Sequence, residues 1–168
     1  ADRSGDDEEA PDPGDFESIL AVLRAMLATE MLRWPSRSRA ERQGNGYRLS
    51  GSKTFITNGF LAGVVLVVCK TDPSAGAKGV SLIVVEAERA GFRRGRKLDK
   101  VGMHAQDTAE MFFDDVRVPV TNRLGEEGRG FVYMMQELAQ ERFIVAVSAA
   151  SKLERVLEQT IEYVKERK

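Results

Sequence analysis

Gly46-Tyr47-Arg48-Leu49-Ser50-Gly51-Ser52-Lys53-Thr54-Phe55-Ile56-Thr57-Asn58-Gly59 is where the periodicity of this chain changes. Upstream, apolar residues recur every three or four positions. From Tyr47 onward the pattern shortens to that of strands. Gly51-Ser52 and Asn58-Gly59 read as turn punctuation, which predicts two strands, Tyr47 to Ser50 and Lys53 to Thr57.

Downstream the same period continues. Val64 to Lys70 and Val80 to Glu86 are apolar, β-branched runs that read as strands, the second a central one. Phe92 to Arg94 and Ala109 to Phe113 add two more, and Asp72-Pro73-Ser74-Ala75-Gly76 reads as a loop. Connections of hairpin length leave no room for crossover helices, so the sheet is expected to be antiparallel. After Pro119 the helical period returns. Phe131, Met134, Met135 and Leu138 form one stripe; Phe143, Val147, Leu153, Val156, Leu157, Ile161 and Val164 form another. Glu126 and Glu127, just ahead of Gly128, suit a helix N-terminus electrostatically. The fold class read here is α+β: an antiparallel β-domain with an N-terminal helix and a C-terminal helical arm.

The N-terminal helix is read from Phe16, Ile19, Leu20, Val22, Leu23, Met26 and Leu27. Asp15 is placed to cap it, and Pro35 ends it by excluding the helical conformation at Trp34. Before it, residues 1–14 are acidic and proline-containing, and disorder is expected there. The expected organisation is a disordered tail at 1–14 and a helix with a divergent linker at 15–36. A β-domain at 37–122 follows, then the start of a helical domain at 123–168.

Composition narrows the function classes. The 168 residues carry a formal net charge of -1, so no global field favours nucleic acid or an anionic membrane. Arg93, Arg94, Arg96, Lys97 and Lys100 form a local basic stretch. Nucleic-acid binding would want interleaved aromatics there, and only Phe92 is near, so a solvated face is expected. Cys69, the single cysteine, lies in an apolar run and reads as a buried, inert thiol. His104 is a lone histidine and does not make a metal site. No apolar run has the length of a membrane span. No signal or transit peptide is visible, which points to the cytoplasm if the source is bacterial. Gly125 and Gly128 are too few and wrongly spaced for a phosphate-cradling loop.

Several collinear motifs, in order, resemble the acyl-CoA dehydrogenase family. Gly46 to Gly59 is similar to its middle domain, and Lys97-Leu98-Asp99-Lys100-Val101-Gly102-Met103 continues the match. So do Phe112-Phe113-Asp114-Asp115-Val116-Arg117-Val118-Pro119 and Leu124-Gly125-Glu126-Glu127-Gly128-Arg129-Gly130-Phe131. Met135-Gln136-Glu137-Leu138-Ala139-Gln140-Glu141-Arg142 resembles the long-chain branch. The likeness runs from about Arg39 to Lys168. It implies an FAD-dependent oxidoreductase of fatty acid β-oxidation that converts an acyl-CoA to a 2-enoyl-CoA. Its implied partners are an acyl-CoA substrate, an electron-transfer flavoprotein as acceptor, and further copies of itself.

The resemblance also implies site residues. Phe55, Ile56 and Thr57 correspond to the strand end that lies against the flavin, with Phe55 in place of a tryptophan found in many members. Either ring offers a flat face, but phenylalanine lacks the indole donor. Glu141, directly before Arg142, matches the helix position of the catalytic base in long-chain and isovaleryl members. A glutamate with a raised pKa can remove a thioester α-proton near neutral pH. Ala139, Gln140 and Arg142 fall in the substrate-contacting run. Val132 stands where a tyrosine is common, and Ala77 and Lys78 align with a loop pair that approaches CoA. By pattern alone the same residues read as an ordinary strand end, a surface glutamate and a turn lysine.

One segment departs from the family. A Thr-Glu-Pro segment followed by Gly-Ser-Asp is replaced by Thr29-Glu30-Met31-Leu32-Arg33-Trp34-Pro35-Ser36, so no flavin contact is expected from it. The helical domains that flank the family's middle domain are missing or cut short, and a truncated fragment is expected. The competing reading is a non-catalytic remnant, a β-module that associates with helical partners and holds no flavin.

Overall fold

A computed structural model describes residues 38–167. The expected acidic tail and N-terminal helix lie outside the described residues. Within them, seven strands precede one long helix. The strands are β1 (Arg39–Gln43), β2 (Gly46–Thr57), β3 (Val64–Lys70), β4 (Val80–Glu86), β5 (Phe92–Lys97), β6 (Thr108–Pro119) and β7 (Arg123–Leu124). Helix α1 spans Gly130–Glu166. One sheet holds all seven strands in the order β5-β6-β2-β1-β3-β4-β7. Its pairings are antiparallel except where β1 meets β3 in parallel, at Arg39 and Lys70.

The continuous apolar runs of β3 and β4 follow from their burial on both faces. Val65, Val67 and Cys69 point into the main core with Ile83 and Val85. Val68 and Leu82 belong instead to a second cluster with Val80, Leu124 and Met134, packed by Phe131 and Tyr133 of the helix. Side chains on a strand alternate between faces, so each run serves both clusters. The main core continues through Tyr47, Leu49, Met111, Phe113 and Val116, with the rings of Phe92 and Phe113 tilted at 58° and their centroids 5.4 Å apart.

Two expectations are corrected. Gly51-Ser52 is not a turn: β2 runs unbroken through it as a bulge, with Gly51 at φ 149°. A Cβ there would lie 2.6 Å from Ser38 Cα, so the glycine admits the neighbouring chain where a turn would have reversed it. The Asp72 to Gly76 loop is ordered as a 3-10 segment, Pro73–Gly79, begun by Asp72 accepting the Ser74 amide at 2.8 Å. Glu126 and Glu127 lie just ahead of the helix, which opens at Gly130 after Arg129.

Among the described residues the helix is held at its beginning. Gly130 and Met134 are its buried residues. A fully buried methionine contributes ~1.5–3 kcal/mol, and the half-buried Phe131 and Tyr133 add less. Gly130 makes the approach possible, because a Cβ there would meet Ser81 Cα at 3.0 Å. Farther along, Phe143, Val147, Leu153, Val156, Leu157, Ile161 and Val164 are all exposed.

Candidate functional site

The strand end Phe55-Ile56-Thr57 is built on a bulge. β2 and β6 shift register between Lys53 and Ile56, and Phe55 takes φ 66°. A non-glycine residue in the left-handed region carries ~1–2 kcal/mol of strain. Here the strain turns an aromatic ring outward, and Phe55 is 49% exposed. Ile56 goes the other way, into the main core, while its carbonyl accepts the Gly59 amide at 3.2 Å and the residue pairs with Ala109 of β6. Thr57 is half-buried and pairs with Thr108.

The turn after this strand is clamped by a residue that the sequence reading missed. Asp107 is buried and accepts the Phe60 amide through Oδ1 at 2.8 Å. Its carbonyl accepts the Asn58 amide at 2.9 Å. Oδ2 is buried with no hydrogen-bond partner. An acid immediately ahead of a strand was the available signal, but the contact spans 47 positions and no local pattern announces it.

Glu141 lies in the third turn or so of α1. It is only part-exposed, and its Oε1 is buried without a hydrogen-bond partner. Loss of hydration pushes its carboxyl above the usual range, and the negative charge of Glu137 adds to that. Glu137 precedes Glu141 by four residues, so both lie on one helix face. This second carboxylate was also missed. Ala139, Gln140 and Arg142 are exposed around Glu141, and Val132 is exposed in the first turn.

Ala77 and Lys78 are exposed on the 3-10 segment, beside the start of α1. The carbonyl of Lys78 lies 2.4 Å from where a Cβ of Gly128 would stand, and Gly128 takes φ 79°. The fold thus brings the Ala77–Lys78 pair and the Val132 end of the helix together. Phe55 to Thr57 belong to the other half of the sheet, where β2 pairs with β6.

The basic stretch is the outer edge strand. Arg93 pairs with Asp114 at 2.8 Å and lies over the Phe112 ring, while Arg94 donates to the Ala62 carbonyl. Cys69 is buried and its thiol is pushed up to about 12, mainly by burial. Among the described residues no group of three or more His, Cys, Asp or Glu is placed to hold a metal. No helix among them is long and apolar enough to cross a membrane.

Comparison with known proteins gives the family. The family model for the acyl-CoA dehydrogenase middle domain matches residues 29–116, and that for the acyl-CoA dehydrogenase C-terminal domain matches residues 128–168. The chain belongs to the acyl-CoA dehydrogenase family. It is 53% identical over 134 residues to the mitochondrial long-chain specific acyl-CoA dehydrogenase of Mus musculus, covering 79% of this chain and 31% of that protein. The crystal structure of an acyl-CoA dehydrogenase from Geobacillus kaustophilus superposes with a TM-score of 0.75 at 49% identity, over 84% of this chain and 39% of that one. A structure described as the electron transferring flavoprotein of Acidaminococcus fermentans matches with a TM-score of 0.71 at 41% identity, over 80% of this chain and 35% of that one. The chain spans about a third of the length of the relatives it matches.

Proposed function

We propose that this chain carries the β-domain and the base-bearing helix of an acyl-CoA dehydrogenase, which converts an acyl-CoA thioester to a 2-enoyl-CoA. The observation that carries the reading is Glu141, a carboxylate with an inaccessible, unpartnered oxygen on the helix that follows the β-domain. Removal of a weakly acidic α-proton needs such a carboxylate, whose affinity for the proton is raised by desolvation. Glu141 takes the α-proton. Ala139, Gln140, Arg142 and Val132 are the helix residues offered to the acyl chain, and Ala77 and Lys78 are offered to the CoA end.

The residues present suit FAD. Phe55 spends backbone strain to hold an aromatic face out of the sheet, as stacking against a flat ring requires. Phe55 would provide the stacking face, Thr57 a hydroxyl, and Ile56 backbone groups. Bound FAD would supply the acceptor for the hydride that leaves the β-carbon, and an electron-transfer flavoprotein would then draw off the electrons. The test is flavin bleaching when the protein, at saturating FAD, is mixed with a saturated acyl-CoA. Glu141→Gln should slow it by ~10²–10⁴-fold. Bleaching at the parent rate would place the base elsewhere.

One observation favours a second reading. The apolar helix face from Phe143 to Val164 is exposed, as a module that associates with helical partners and holds no flavin would have it. Titration of the purified protein with FAD to saturation separates the two: the flavin-free module binds none.

A further inference from the structure

Tyr47 is 1% exposed, yet its hydroxyl reaches across the sheet and donates to Glu127 Oε2 at 2.7 Å. Arg123 NH1 lies 3.4 Å from both the Tyr47 hydroxyl and that same carboxylate oxygen. Arg42 NH1 approaches the same oxygen at 3.6 Å. Tyr47 belongs to β2, Arg42 to β1 and Arg123 to β7. In the sheet order, β3 and β4 separate β1 from β7. The contact therefore closes a rolled sheet, and Glu127 is the residue on which three strands meet.

Glu127 also stands immediately before the helix. The next residue, Gly128, donates its amide to Ser81 Oγ at 2.9 Å, and Ser81 is fully buried. The residue before it, Glu126, donates its amide to the Tyr133 hydroxyl at 3.1 Å, which folds the first turn back over the loop. Beyond Met134 the helix has no buried residue among the described ones. Its direction is therefore decided at its root.

We propose that Glu127 is a positioning residue: by tying Tyr47, Arg42 and Arg123 together at the root of α1, it sets the direction in which the helix leaves the sheet and so the place of Glu141. The functional weight of this rests on Glu141 being the base; the geometry does not. With ~1.5 Å of rise per residue, Glu141 stands ~17 Å along the axis from Gly130. A tilt of ~10° at the root then moves its carboxylate by ~3 Å, enough to lose a substrate proton held at hydrogen-bond distance. Ser81, the bridge between Val80 and Arg129 and the buried Met134 all tie the root to the β4 side of the sheet; Glu127 alone ties it to β1 and β2, which adds a hold on a second side.

The experiment measures direction, without FAD or substrate, so it is independent of the dehydrogenase reading. Spin labels are placed at Ser52→Cys on β2 and Ala149→Cys on the helix, both exposed positions, while Cys69 is buried and stays unlabelled. Diluted with unlabelled protein to suppress distances between copies, the parent should give one narrow distance distribution. Glu127→Ala should shift its centre by ~5 Å or broaden it by a similar amount, the displacement of a lever ~28 Å long tilted by ~10°. Tyr47→Phe removes one hydroxyl and keeps the buried ring, so it tests the same contact if Glu127→Ala does not fold; it should broaden the distribution in the same direction. A parent distribution retained in Tyr47→Phe and in any folded Glu127→Ala overturns the proposal. Bleaching unaffected by Glu141→Gln would overturn the base assignment alone.

Discussion

Asp107 holds Phe60 from the end of the neighbouring strand: Oδ1 accepts the Phe60 amide at 2.8 Å, and the Asp107 carbonyl takes the amide of Asn58. This fixes the turn that follows the strained Phe55. A hydrogen bond to a charged group contributes ~1.5–3 kcal/mol, reduced here because burying Oδ2 without a partner carries its own cost. Asp107→Ala should therefore destabilise by ~1–2 kcal/mol in urea unfolding. Amide exchange at Phe60 should accelerate more than exchange in β3 or β4. Equal protection at Phe60 in both proteins would show that the side chain does not hold the turn.

Glu141 predicts an opposite sign. Its folded-state pKa is raised above the ordinary 4.5 by desolvation and then by Glu137. The folded state thus holds the proton more tightly than the unfolded chain, and stability falls as pH rises from about 4.5 through the raised value. Glu141→Gln removes the charge. It should be more stable than the parent at neutral pH and indistinguishable from it below about pH 4.5. Thermal unfolding of both proteins across that window is the measurement, and a variant less stable at neutral pH would contradict the desolvation.

Glu86 governs the acid limb. Its carboxyl is held down to about 2, first by the Arg89 guanidinium, against some desolvation, with Asn122 also donating to it. This stability is present above the ordinary 4.5 and is lost as pH falls through about 2. Glu86→Gln should flatten stability between those two values and leave the neutral-pH slope unchanged. The side chains are part-exposed, so salt should weaken the effect.

How far these features could be read in the sequence depended on distance along the chain. β3 and β4 were legible because burial on both faces leaves unbroken Val, Ile and Leu runs. β1 was not: Arg39-Ala40-Glu41-Arg42-Gln43 buries only Ala40, and its strand character comes from pairing with β2. β6 extends past Phe113 to Pro119 because Asp115 absorbs an irregularity at φ 53°, which a run of two aspartates does not suggest. β7 is two residues long and has no period at all. The strand end at Phe55 and the glutamate before Arg142 were legible as motifs. The residues that hold them, Asp107 and Glu127, act over 47 and 80 positions; the first became visible only once β2 and β6 were paired, the second only once the sheet was rolled.

The helix face predicts association. Leu153, Val156, Leu157 and Ile161 are exposed at helical spacing, and burying one such side chain is worth ~1.5–3 kcal/mol. We expect self-association at tens of micromolar, on the order of the concentrations at which weak interfaces fill. Leu157→Lys with Ile161→Lys should return the protein to a monomer in light scattering without changing its helix content. A parent already monomeric there would remove the premise.

Phe55 is where stability and function should part. Its φ of 66° costs a Cβ-bearing residue ~1–2 kcal/mol, which glycine does not incur. Phe55→Gly should therefore be more stable than Phe55→Ala by about 1 kcal/mol, reversing the usual order within a strand. The ring itself is half-exposed and contributes little to the core, so its removal costs the fold little. FAD binding should respond differently. Among the contacts read from the sequence, this strand end supplies the stacking face, so binding by the parent should be weak, with a Kd above ~1 μM, or about -8 kcal/mol. Both variants should weaken it further and to the same extent, because both lose the ring. Fluorescence titration with FAD checks this against urea unfolding of the same three proteins. If glycine and alanine are equally stable, the bulge does not strain Phe55. If FAD binds all three alike, Phe55 is not the flavin's neighbour.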